Sequence, residues 1–272
     1  MIILGDAGIN YFLDKTDQKL KRQLSKLPIR FFMVHGNHEA HPYEIPSYRE
    51  KEWHGGNVYY EEEYPNLLFA KDGEIYDFDG KRGIVIGGAY SVDKDFRIMS
   101  GMPWYASEQP SSEIKAYVEK QLKKCGWTVD YVLSHTCPRH LEPTDLFLDF
   151  ITQERIDKTT ENWMSELHEK LTYEKWYFGH FHGERVYNSA EMLYGTIKEL
   201  GADDYLQRLG SPRYRAGMRV LFYYDGDKEA GGTVTGINAY GTRAQTKEVS
   251  YQIDSFDGRR YRDIPESVVE RI

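Results

Sequence analysis

Apolar and polar residues alternate along this chain in short blocks, and the first block is MIIL, closed at once by Gly5 and Asp6. A short apolar run bounded by a turn signal reads as a buried strand. Its carboxyl end would deliver the Asp6 carboxylate into a loop, which is where open α/β sheets place ligands. Residues 14–27 then set Leu20, Leu24 and Leu27 at helical spacing, and Pro28 ends that run ahead of a second apolar strand, IRFFMV at 29–34. Strand, helix and strand in this order predict a parallel pair with both following loops on one edge, so that Asp6 and Asn37 meet.

A tyrosine- and glutamate-rich stretch follows, and then three predicted strands: LLFA at 67–70, EIYDFDG at 74–80 and GIVIGGAY at 83–90. The last two read as an antiparallel hairpin around an Asp-Gly turn. Residues 111–126 are amphipathic, with Ser111 and Ser112 as caps and Gly126 as the stop. DYVLSH at 130–135 is a strand, residues 152–171 place Ile156, Trp163, Leu167 and Leu171 on a helical stripe, and KWYFGHFHG at 175–183 again runs from apolar strand into polar loop. Beyond Gly195 the pattern changes. Residues 197–211 read as a helical connector, and 218–224, 232–240, 248–254 and 259–264 are short alternating strands broken by Asp-Gly turns. Such punctuation predicts a small all-β barrel. The expected fold is α/β, with a main domain at 1–197, a helical connector at 198–214 and an accessory β-barrel at 215–272.

Composition narrows the function classes. The chain has 272 residues, 40% hydrophobic and 29% charged, enough to bury a full core. A formal charge of −8 repels nucleic acid at long range, which argues against a broad footprint on DNA or RNA and leaves only a local patch, in the C-terminal barrel, for such a partner. Two cysteines, Cys125 and Cys137, make no disulfide framework. With no leader pattern and no apolar run near the roughly 18–20 residues that span a bilayer, the expectation is a cytoplasmic protein without a membrane partner.

Four strand-to-loop junctions carry candidate metal ligands: Asp6; Asn37 with His38; His135 in SHTCP; and His180 with His182 in GHFH. Carboxylate, amide oxygen and imidazole suit a borderline divalent ion such as Mn, Fe, Zn, Co or Ni, whereas thiolates would indicate structural zinc. A metal pair roughly 3.5–4 Å apart can activate water and clamp a phosphoryl oxygen for in-line attack. The bland reading makes Asp6 a turn residue and Asn37 a cap.

GDAG at 5–8, GNHE at 36–39, SHTCP and GHFH, in that order, resemble the calcineurin-like metallophosphoesterases over about the first 195 residues. The resemblance implies a four-layer αββα sandwich and two divalent metal ions, manganese among the candidates. It implies that Asp6 bridges both ions, that Asn37, His135 and His180 bind the second, and that His182 binds the first. A metal-bound hydroxide would attack phosphorus, while His38 binds phosphoryl oxygens and assists the leaving group, oriented by Glu39 or another nearby carboxylate. The substrate would be a phosphorylated small molecule, a nucleotide or a phosphoprotein, as mono- or diester. GGAY at 87–90 stands where such proteins carry a Gly-Gly strand end.

One family element is missing. The Asp-x-His motif that supplies two further ligands of the first metal occurs nowhere in the sequence, so that site is expected to be weak or empty. A truncated amino terminus is the favoured explanation, ahead of a single-metal variant and of lost catalysis. The GD-x-x-D-R-G element of protein serine/threonine phosphatases is also absent, since residues 5–10 read GDAGIN. The runner-up function is a catalytically impaired phosphate- or nucleotide-binding or interaction protein, and a third is a phosphodiesterase that reaches nucleic-acid ends through the barrel.

Around the site, Arg97 is a candidate substrate-phosphate ligand, with a surface salt bridge as the equal alternative. Arg139 has the same two readings. Tyr43, Tyr90 and Trp104 are stacking candidates for which packing is the simpler role, and His35, His41, His54, His140 and His168 are read as core or surface histidines. Lys228, Arg243, Lys247, Arg259, Arg260 and Arg262 make the barrel segment locally basic, with a solvated face as the plain interpretation. The turn-punctuated strands resemble SH3-like barrels.

Overall fold

The computed structural model describes residues 1–148, 151–202, 207–225, 228–241 and 248–272. It is mixed α/β, with two mixed sheets and, among the described residues, four α-helices. The chain divides into two compact units: Met1–Leu141 with Ile156–His180, and Glu142–Arg155 with Phe181–Ile272. Among the described residues no helix is long and apolar enough to cross a membrane.

In the first unit, β1 (Ile2–Ile3) leads through α1 (Lys15–Leu24) to β2 (Phe31–Met33). The two strands are parallel, with Ile2 opposite Phe32, as the strand-helix-strand pattern requires. Helix α1 starts where the Asp14 carboxylate accepts the Thr16 amide at 2.7 Å. The tyrosine-rich stretch forms a hairpin of β3 (Arg49–Trp53) and β4 (Gly56–Tyr60), and β5 (Leu67–Ala70) completes a sheet of order β1-β2-β5-β4-β3. The second sheet of this unit holds β6 (Ile75–Phe78), β7 (Lys81–Ile86), β8 (Tyr131–Ser134) and β9 (Lys175–Phe178). Strands β6 and β7 are antiparallel around Asp79 and Gly80, both at positive φ (55° and 86°), the backbone that a type I′ Asp-Gly turn demands. Strands β7, β8 and β9 are parallel.

Alternation along β2 divides the core. Phe31 and Met33 join Leu20 and Leu24 of α1 on one face. Phe32 points the other way, to Tyr76 and Phe78 of β6 at ring distances of 4.9 and 5.7 Å, which brings the two sheets together. On the far side, α3 (Ser112–Lys124) buries Val118 and Leu122, and α4 (Thr159–Lys170) sets His168 6.0 Å from the fully buried Trp176 of β9. Helix α2 (Lys94–Met99) was not legible in the periodicity, and the expected helix at 152–171 is α-helical only over α4. Cys125 and Cys137 are free thiols.

In the second unit, β10 (Gly183–Val186) pairs with β11 (Ala190–Met192) and, in parallel, with the long β14 (Lys228–Asn238). Strands β13 (Arg219–Tyr224), β14, β16 (Ser250–Ser255), β17 (Arg260–Pro265) and β18 (Val269–Arg271) form an antiparallel array of order β18-β13-β14-β16-β17. Val220, Phe222, Val234, Tyr251 and Ile253 fill its core. Arg185 clasps Asp145 at 2.8 and 2.6 Å, which ties segment 142–155 to β10.

LLFA, for which the sequence named no partner, lies parallel to β2 in the first sheet. One expectation changes. The connector expected as helix at 198–214 contains no helix in its described residues: Gly201 and Gly210 take positive φ (76° and 158°), and β12 (Gln207–Arg208) instead pairs with β15 (Tyr240–Gly241). Residues 203–206 of that connector, and Arg243 and Lys247 of the basic segment, lie outside the described residues. Within the compact units the chain passes from the first to the second after His180, where β10 begins its pairing with β14.

Candidate functional site

The carboxyl ends of β1, β2, β7, β8 and β9 deliver the first unit's candidate residues to one place. The two sheets are joined there by a main-chain bond, the Gly88 amide donating to the His35 carbonyl at 2.8 Å, while within the second sheet the His135 amide ties β8 to the Ile86 carbonyl of β7 at 3.1 Å. Gly87 permits that approach, since a Cβ on it would lie 2.8 Å from the His35 carbonyl oxygen and 2.9 Å from Asp72. This is the structural reason for the Gly-Gly strand end.

His135 is 1% exposed and oriented by the backbone. Its Nδ1 lies 2.7 Å from the Leu4 carbonyl oxygen, an obligate acceptor, so the ring donates from Nδ1. In the neutral ring Nε2 then carries the lone pair. That nitrogen faces Asn37 Oδ1 at 2.8 Å and Asp6 Oδ2 at 3.5 Å. Asn37 Oδ1 is turned this way because its Nδ2 donates to Ser91 Oγ at 2.9 Å. His180 Nδ1 approaches the same oxygen at 3.1 Å. With His135 neutral, its Nε2 lone pair, Asn37 Oδ1 and Asp6 Oδ2 are acceptors brought face to face, an arrangement that an electropositive species beside them would relieve.

Backbone conformation supports the cluster. Asp6 and His180 both sit at positive φ (53° and 67°), where few non-glycine residues settle. Gly5 and Gly36 make the cradle: a Cβ on Gly5 would lie 2.0 Å from His135 Nδ1, and one on Gly36 would lie 2.1 Å from Asp6 Oδ1. Burial pushes the Asp6 carboxyl up, but the His135 and His38 rings, the His38 amide and His180 outweigh it and hold the group down at about 2. Oδ1 accepts that amide at 3.0 Å.

His38 stands beside the cluster, partly exposed. Burial lowers its pKa; the Asp6 carboxylate opposes this and Arg97 reinforces it. Arg97 is buried and braced: Nε donates to Asp93 at 2.8 Å, one terminal nitrogen donates to the Tyr11 hydroxyl at 2.8 Å, and the other reaches 3.4 Å from His38 Nε2. Glu39 does not reach His38. Its fully buried carboxyl accepts the Gly36 amide at 2.9 Å, and burial with the nearby Asp6 carboxylate pushes it up to about 8. Glu39 therefore braces the glycine loop that carries Asn37, and the carboxylates near His38 are Asp6 and Asp93.

Of the predicted site residues, Asp6, Asn37, His38, Arg97, His135 and His180 come together in the first unit. His182 belongs to the second unit, where its ring lies 5.1 Å from Tyr194 and its carbonyl accepts the Ile237 amide at 3.1 Å. His35 and His41 are buried, with His35 Nε2 on the Glu39 carbonyl at 3.0 Å and His41 Nε2 on Asp72 at 3.1 Å. His54 pairs with the Asp77 carbonyl, and His140 packs on His168 with ring centres 4.5 Å apart. Arg139 is exposed. Lys94 lies over Trp104 at 4.3 Å and near Tyr90 at 5.8 Å, while Tyr43 stacks on His41 at 4.0 Å. Sequence reading missed Ser91 and Tyr11, whose partners are remote in the chain. The Asp93–Arg97 pair had a signal in its i, i+4 spacing.

Among the described residues, no three or more His, Cys, Asp or Glu side chains form a group able to hold a metal ion by themselves. The convergence is completed by an amide oxygen, Asn37 Oδ1, and in donor chemistry the whole set fits a borderline divalent ion. No family model and no curated protein matches the chain.

Proposed function

We propose that this chain is a divalent-cation-dependent phosphoesterase of the calcineurin-like class, built on an αββα sandwich with an SH3-like barrel attached. The observation that carries this reading is the convergence of the Asp6, Asn37, His135 and His180 side chains on one another, with Arg97 and His38 alongside. The five antiparallel strands of the second unit, with a 3₁₀ turn at Glu266–Val268 between β17 and β18, support the barrel.

Asp6, Asn37, His135 and His180 would hold the cation, which supplies Lewis acidity toward phosphoryl oxygen and acidifies a coordinated water. The chain's own residues do the rest. The Leu4 carbonyl fixes the His135 tautomer, Ser91 orients the Asn37 amide, and Arg97, locked by Asp93 and Tyr11, presents guanidinium N–H groups to phosphoryl oxygens. His38 is favoured neutral at rest, so it first donates a hydrogen bond to the ester. The negative charge of bound phosphate then favours uptake of a proton from solvent by the ring, which passes it to the leaving oxygen and returns to its neutral form.

The test is calorimetric titration of metal-free protein with Mn²⁺, alongside hydrolysis of p-nitrophenyl phosphate and its bis ester. Saturable binding with turnover is expected, both reduced at least tenfold in His135→Gln and Asn37→Ala. Phosphate binding without turnover under any divalent ion would replace the enzyme with a binding module.

A further inference from the structure

We propose that the groove between β13 and β17 in the second unit binds single-stranded nucleic acid, with bases stacked on tyrosine and phosphates held by arginine. The groove has a volume of about 850 Å³, and its walls include Tyr223, Tyr224, Arg259, Tyr261, Arg262 and Val268. Tyr224 and Tyr261 stand 4.7 Å apart at 53°, and Phe222 backs Tyr261 at 4.9 Å, so the aromatic wall is a braced platform. Every base has a π-face, so stacking on such rings is tolerant of sequence.

Arginines surround that wall. Arg259, Arg260 and Arg262 are all exposed. Arg260 is engaged by Asp254 through two bonds of 2.7 and 2.9 Å, while Arg259 stands 3.7 Å from Asp257. Arg259 and Arg262 are therefore the residues assigned to phosphate. Residues 215–272 contain nine Lys and Arg against nine Asp and Glu, so this segment is neutral and the net charge of −8 belongs to the rest of the chain. Attraction is consequently local, and the ligand is a short single strand rather than duplex, whose dense phosphates would meet the chain's overall repulsion. An acidic peptide would use the arginines but leave the tyrosine faces unstacked.

The proposal is independent of the cation site. Its test is fluorescence anisotropy of labelled oligo(dT) with the full chain at low and physiological salt, with labelled duplex and a glutamate-rich peptide as parallel probes. Binding is expected for the single strand, with log K falling by about 0.7 per log unit of salt for each phosphate held, hence a slope of about −1 to −2. Tyr224→Ala should weaken it by about 5- to 100-fold and Tyr224→Phe should not, because the ring rather than the hydroxyl stacks. Arg262→Gln, at an exposed position, should lower the salt slope by about 0.7 while the melting curve stays unchanged. Absence of oligonucleotide binding, binding unaltered in both Tyr224→Ala and Arg262→Gln, or tighter binding of the peptide or duplex would overturn the proposal.

Discussion

Gly5→Ala isolates the contact on which the candidate site is built. The new methyl would sit 2.0 Å from His135 Nδ1, 2.7 Å from Cγ and 2.8 Å from Cε1. The ring cannot swing aside cheaply, because it is 1% exposed and bound to the Leu4 carbonyl at 2.7 Å. Two costs add. A side chain at φ +97° costs about 1–2 kcal/mol in backbone strain. Overpacking against a fixed ring costs about 1–3 kcal/mol more. The sum, about 2–5 kcal/mol, corresponds to a fall in Tm on the order of 5–15 °C for a chain of this size. Gly126→Ala is the control, since Gly126 has φ +67° and a methyl there would meet nothing within 4 Å, so it carries the strain alone. Thermal melts of both variants, with Mn²⁺ titration of each, separate the two costs. Gly5→Ala should melt several degrees below Gly126→Ala and bind Mn²⁺ at least tenfold more weakly, because His135 Nε2 is displaced from Asn37 Oδ1. If the two variants melt together and Gly5→Ala binds the ion as the parent chain does, His135 is not held as described and the reasoning fails.

Two further outcomes follow from groups beside the site. Asp72 is buried; burial raises its pKa, but the bond from His41 and the Gly87 amide bring it below the usual 3.8. Because the folded value is the lower one, this stabilisation is present above about pH 4 and is lost as pH falls through the folded value. Asp72→Asn should therefore cost about 1.5–3 kcal/mol at neutral pH, with the two denaturation curves converging in strong acid; a constant gap from neutral to acid pH would contradict it. Arg97→Lys keeps the charge but loses the fork that joins Asp93, Tyr11 and His38. It should lower kcat/KM for p-nitrophenyl phosphate by about 10- to 100-fold, mostly through KM, and an unchanged value would remove Arg97 from substrate binding.

How much of this protein is written in local sequence can be judged element by element. The parallel sense of β1 and β2 was legible because an apolar run, a helical stripe and a second apolar run leave little other topology. The Asp79-Gly80 hairpin was legible because few residues accept its backbone. LLFA was legible as a strand but its partner was not, because an apolar run buried on both faces carries no label for its neighbour, and the connector failed as a helix because Gly201 and Gly210 adopt conformations foreign to one.

At the site, residue type and strand-end position marked Asp6, Asn37, His38, His135 and His180 as groups able to bind a cation or a phosphate, since donor chemistry belongs to the residue itself. Only the tertiary structure decided which atom faces which. The acceptor that sets the His135 tautomer is the Leu4 carbonyl, 131 positions away, and a main-chain oxygen is the same on every residue. Arg97 reaches His38 through braces at Tyr11 and Asp93, and Glu39 turns to the Gly36 amide instead of to its neighbour His38. Chemistry is local to a side chain, but its partner is chosen by packing that closes loops of a hundred residues, and no pattern in the linear order records that choice.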